Sequence, residues 1–145
     1  MGGVVAAIVV LLTFADSYKY NAQVIDSGPQ EIPVIAAWFR NNIGPMPDTT
    51  SIIARKPHIA YYTGMRLYEF PYVTSLPDLE TAVQNSGAKF LFYGYMEAGM
   101  RPQFQFLLDP SRAPKWLVPL TYTVQPPAVL YRVRWDTATP SQTKF

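Results

Sequence analysis

Apolar residues in the first half of the chain recur with the period of a helix and then with the period of a strand. Ile32, Ile35, Ala36, Phe39 and Ile43 fall on one face at helical spacing. Pro33 is tolerable only in the first turn of such a helix, and Gly44-Pro45 stops it. A Pro-Asp loop follows, and Ser51 to Ala54 reads as a short strand carrying Ile52 and Ile53, broken by Lys56-Pro57. His58 to Thr63 has room for one or two helical turns before Gly64. From Met65 to Tyr72 the pattern alternates, with Leu67, Glu69 and Pro71 interleaved with Tyr68, Phe70 and Tyr72. Pro71 marks an edge or a strand end.

Ser75 is a good N-cap, with Asp78 three residues later in the manner of a capping box. Leu76, Leu79 and Val83 then form the apolar stripe of a helix closed by Gly87. Lys89 to Tyr95 (KFLFYGY) has the look of a central strand buried on both faces. Glu97 to Leu108 is ambiguous; Phe104, Leu107 and Leu108 would face inward from a short helix. After a loop at 110–114, Trp116 to Val124 and Ala128 to Trp135 are strand-like runs joined by Gln125-Pro126-Pro127, read as a hairpin. This alternation predicts an α/β fold: a small mixed sheet with covering helices and a C-terminal β-hairpin. Right-handed crossovers would make part of the sheet parallel.

The beginning of the chain is different. Met1 to Ala15 carries no charge, and Val4 to Leu12 is purely aliphatic. A signal peptide would want a positive n-region and an A-x-A-like cleavage site, and neither is present. A buried core helix would be broken by polar residues. The favoured reading is the end of a transmembrane helix, with Tyr18, Lys19 and Tyr20 at the interfacial belt. The expected organisation is therefore a transmembrane helix end at 1–17, a linker at 18–28, the α/β domain at 29–135 and a disordered polar tail at 136–145.

Composition narrows the chemistry. The 145 residues are 49% hydrophobic and 15% charged, which excludes a disordered chain. Net charge is only +2, too little for a nucleic-acid binder. Cysteine is absent and His58 is the one histidine, so neither a thiolate nor a multi-histidine metal site is expected, and no cofactor is assigned to this chain. No phosphate-binding glycine loop and no G-x-S-x-G elbow is present, and no catalytic residue is named.

The most polar point is Arg55-Lys56-Pro57-His58, directly after a strand, where α/β folds place their sites. Arg55, Lys56 and His58 could hold an anionic group such as a phosphate. The plainer alternative is that Arg55 and Lys56 are solvated and His58 caps the next turn. Tyr61-Tyr62 and Tyr93-Gly94-Tyr95 could stack on a carbohydrate, although aromatics at strand positions more often pack. Asp78 and Glu80 sit in a helical first turn, where the macrodipole favours acids without any catalytic role. Arg132 and Arg134 alternate with apolar residues, as on a strand with one solvated face.

The segments IPVIAAWFRNN, TSIIARKPHIAYYTG and FPYVTSLPDLETAVQNSGAKFLFYG, from Ile32 to Gly94, together resemble the C-terminal region of membrane-embedded C-type glycosyltransferases, the superfamily of the protein O-mannosyltransferases and lipid A aminoarabinose transferases. The closing PPAVLYRVRW also fits. The resemblance implies a small soluble α/β domain after a transmembrane bundle, on the extracytoplasmic face of the cell membrane. It implies a parent protein that transfers sugar from a polyprenyl-phosphate donor, with catalytic acids and any metal outside this chain. The implied partners are the transmembrane bundle, membrane lipid and the polyprenyl-phosphate sugar. The resemblance assigns no residue roles within this domain; Arg55, Lys56 and His58 are the positions to test for contact with the lipid phosphate or the acceptor, and Tyr61 and Tyr62 remain the stacking candidates. A membrane-anchored, non-catalytic binding or assembly module is the alternative.

Overall fold

The computed structural model describes residues 28–135. The expected membrane segment and most of its linker, at 1–27, and the polar tail at 136–145 lie outside the described residues. Among the described residues no helix is long and apolar enough to cross a membrane.

The elements run α1 (Glu31–Asn42), β1 (Ser51–Ala54), α2 (His58–Thr63), β2 (Arg66–Glu69), α3 (Leu76–Ser86), β3 (Phe90–Gly94), α4 (Tyr95–Met100), two 3-10 helices (Pro102–Leu108 and Pro110–Arg112), β4 (Leu117–Val124) and β5 (Pro127–Val133). The strands form one sheet in the order β2-β1-β3-β5-β4. β1 pairs in parallel with β2 and β3, and β5 runs antiparallel to both β3 and β4. The fold is thus mixed α/β, as the alternation of elements predicts.

Two apolar layers hold it together, one on each face of the sheet. On the first, α1 lays Ile32, Ile35, Ala36 and Phe39 over Ile52, Ala54, Phe90, Phe92 and Leu130, together with Ile59 and Ala60 of α2. The Phe39 ring meets Phe90 edge-on, centroids 5.2 Å apart. On the second, Leu79 and Val83 of α3 pack with Ile53, Leu91, Tyr93 and Tyr131, and the 3-10 segment adds Phe104 and Leu107. Each large side chain so buried contributes about 1.5–3 kcal/mol. β3 is buried at every position because it has a strand on each side and a layer on each face. The helices of the two β-α-β units lie on opposite faces because β2 lies to one side of β1 and β3 to the other, and both crossovers keep one hand.

Local signals act as expected. Ser75 caps α3 by accepting the Asp78 amide at 3.3 Å, and its hydroxyl donates to the Asp78 carboxylate at 2.6 Å. Gly64 and Gly87 end α2 and α3 in the left-handed region, at φ 72° and 65°. Prolines sit where ladders tolerate them: Pro71 lies just beyond edge strand β2, and Pro119 lies on edge strand β4 beside a register shift. β2 is shorter than the alternation over Met65 to Tyr72 predicts, since Phe70 turns into the core and the chain leaves the edge before Pro71.

The ambiguous stretch from Glu97 to Leu108 resolves into α4 and a 3-10 helix. Two buried tyrosines tie it to the sheet: Tyr93 donates to the Arg101 carbonyl at 3.2 Å, and Tyr131 to the Leu107 carbonyl at 2.7 Å. Burial disfavours the phenolate, so the Tyr93 hydroxyl is pushed up to about 12, with the nearby Arg101 guanidinium pulling the other way. Tyr131 is pushed up further, chiefly by burial and secondarily by the charge of Asp109.

Candidate functional site

Strand order reverses at β1: the chain passes from β1 outward to β2, then back across to β3. In open α/β sheets this switch point, at the carboxyl ends of the parallel strands, is where ligands are held, because the loops there diverge and leave a crevice. Three connections meet at that end. Arg55-Lys56-Pro57 leads from β1 into α2, residues 70–75 lead from β2 into α3, and Gly94 leads from β3 directly into α4.

Arg55 is half-buried and turned inward. Its Nε lies 3.9 Å from Oε2 of Glu97, whose side chain is only 3% exposed, and its guanidinium also donates to Sδ of Met96 at 3.5 Å. Glu97 forms a second ion pair, with Arg101 one turn later. Arg101 is itself buried; it donates to the Phe70 carbonyl at 3.5 Å, and its guanidinium lies over the rings of Phe70 and Tyr72, 5.1 and 4.8 Å from their centroids. An Arg–Glu–Arg chain therefore joins the ends of all three parallel strands. Each charge is compensated by its neighbours, which is what lets a carboxylate stand in the interior.

Lys56 and His58 are exposed at the same end, and neither side chain makes a hydrogen bond or ion pair. His58 begins α2, whose N-cap, Pro57, provides no side-chain cap. Of the three basic residues predicted together, one is committed to Glu97 and two are available to solutes. Tyr61 is 83% and Tyr62 43% exposed. Their rings meet edge to face at 5.6 Å, so they do not form one flat stacking platform. Arg40 of α1 donates to the Tyr62 carbonyl at 3.0 Å.

The carbohydrate-stacking alternative for Tyr93 is corrected: its ring is fully buried among Phe70 and Phe104, and packing accounts for it. Tyr95, which opens α4, is on the surface instead. With Met96, Met100 and the largely exposed Tyr72 it gives the switch-point end an aromatic and thioether surface. Glu97, Arg101 and Tyr72 are the residues that sequence reasoning missed. The Glu97-to-Arg101 spacing was the available signal, an i,i+4 pair in the segment after a central strand. Among the described residues no group of His, Cys, Asp or Glu is placed to hold a metal ion. No family model matches the chain, and no curated protein or solved structure matches it either.

Proposed function

We propose that this chain is the C-terminal extracytoplasmic domain of an integral-membrane glycosyltransferase that uses a polyprenyl-phosphate-linked sugar, and that it assists the transfer without catalysing it alone. The observation that carries the reading is the position of the A-R-K-P-H segment. It leaves β1 at the switch-point end, with Lys56 and His58 exposed and unpaired. The same segment is the core of the resemblance to C-type enzymes.

In this reading Lys56 and His58 meet the donor phosphate by charge-assisted hydrogen bonds. Arg55, fixed against Glu97, orders the turn that presents them. Tyr72, Tyr95, Met96 and Met100 supply apolar contact to the polyprenyl chain or the transmembrane bundle, with Tyr61 and Tyr62 flanking. Flexible methionines and amphipathic tyrosines suit such a boundary.

The test uses membranes carrying the protein as its own cell makes it, assayed for sugar transfer from a polyprenyl-phosphate donor. Lys56→Ala with His58→Ala should raise the donor KM about tenfold or more, the effect of losing one or two charge-assisted contacts. Absence of transfer by the wild-type membranes, or an unchanged donor KM in the variant, would overturn the proposal.

A further inference from the structure

We propose that the opposite end of the sheet holds a second binding site, for a sugar-sized molecule carrying a phosphate or carboxylate. At that end β3 begins and β5 finishes, with Phe90 registered opposite Arg132. Lys89 precedes β3, and its backbone is bonded to both neighbours, its amide to the Ser51 carbonyl at 3.0 Å and its carbonyl to the Val133 amide at 2.8 Å. The two cations therefore stand on adjacent strands of a hydrogen-bonded frame, not on a loose loop.

A pocket of about 330 Å³ opens at this end, with Met46, Thr50 and Trp135 in its lining. Lys89 and Arg132 line it, and exposed Arg134 stands next in the chain. None of these three cations forms an ion pair. Asp48, on the same loop as Met46 and Thr50, is exposed and pairs with none of them. Arg66 begins β2 at the same end and adds to the positive field.

Unneutralised cations around a concavity concentrate anions there. The guanidinium of Arg132 offers a fork that matches a phosphate or carboxylate, and Lys89 adds a point charge to the lining of the same pocket. Trp135 is partly buried against the core and also lines the pocket. An indole in a pocket lining suits the apolar C–H surface of a sugar ring. The volume lies at the small end of ligand pockets, about 300–1,000 Å³, which fits a monosaccharide with one anionic group. Nothing in this site depends on the switch-point end.

The test is calorimetric titration of the full chain in detergent with glucose 1-phosphate, glucuronate, inorganic phosphate and glucose. Glucose 1-phosphate or glucuronate should bind at one site, and whichever binds identifies the anionic group. Lys89→Ala and Arg132→Ala should each weaken that binding about tenfold. Both side chains are exposed, so both variants should keep the wild-type melting temperature. Arg112→Ala, a cation outside the pocket, should bind as the wild type does. Saturable binding of neither sugar acid, affinity unchanged in both variants, or inorganic phosphate binding as tightly as the sugar acid would each overturn the proposal.

Discussion

Nε of Arg55 lies 3.9 Å from Oε2 of Glu97, a contact that spans the position where the strand order reverses. Glu97 is the hinge of this arrangement because it also pairs with Arg101. Removing one member of a buried ion pair strands the other and costs about 3–5 kcal/mol. Glu97→Ala is expected to lose about that much stability by urea denaturation. Arg55→Ala should lose only about 1 kcal/mol, since the Arg55 side chain is 26% exposed. Glu97→Met combined with Arg101→Leu should recover most of the loss, because an apolar pair needs no charge compensation. A Glu97→Ala variant as stable as wild type would show that the chain of charges holds nothing together.

Tyr93 and Tyr131 are expected to make the fold less stable at alkaline pH. Burial pushes Tyr93 from its ordinary 10.0 up to about 12, and Tyr131 moves in the same direction. In that interval the unfolded chain has released protons that the folded chain still holds, so stability falls as pH rises. The tyrosine contribution is fully present below about pH 10 and is lost as pH passes through the folded values. Urea midpoints measured from neutral to alkaline pH should decline over that window. Tyr93→Phe with Tyr131→Phe should flatten the decline. An equally steep decline in the double variant would assign the effect elsewhere.

The Tyr131 hydroxyl has a separate, pH-independent role. Its bond to the Leu107 carbonyl anchors the 3-10 segment, and Tyr131→Phe leaves that carbonyl without its donor. The expected loss at neutral pH is about 1–3 kcal/mol.

Glycines offer a contrast of sign. Gly87 ends α3 at φ 65°, so Gly87→Ala should cost about 1–2 kcal/mol despite open space around it. Gly99 lies inside α4 with nothing within 4 Å of an added Cβ and no positive φ, so Gly99→Ala should stabilise by about 0.5–1 kcal/mol. Thermal melts of the two variants should move in opposite directions.

What could be read beforehand was whatever a short window encodes. The apolar face of α1, the Ser75 cap and the buried run of β3 each declare themselves within a dozen residues. Pro71 likewise marks an edge or a strand end. The segment from Glu97 to Leu108 did not declare itself, because its fold depends on two tyrosines of β3 and β5 reaching across to its carbonyls. Glu97 in a first turn looks like any solvated acid; its burial depends on Arg55, far away in the chain. The Arg55-Lys56-His58 cluster was visible as a run of charges. Its division into one fixed and two open residues was not, since only the tertiary fold brings Glu97 to Arg55. Arg132 and Arg134 were visible as an exposed face, but the pocket that Arg132 lines with Lys89 exists only once β5 pairs with β3.

The central claim is that the switch-point end, through Lys56 and His58, meets a polyprenyl phosphate. The most direct measurement is the change in backbone amide NMR shifts of the full chain in detergent on adding a short-chain, water-soluble polyprenyl phosphate. The account predicts saturable shifts at Lys56 and His58 and at the neighbouring Tyr72, Tyr95 and Met96, lost in the Lys56→Ala/His58→Ala variant. Shifts confined to Lys89, Arg132 and Trp135, or no saturable shifts at all, would contradict it.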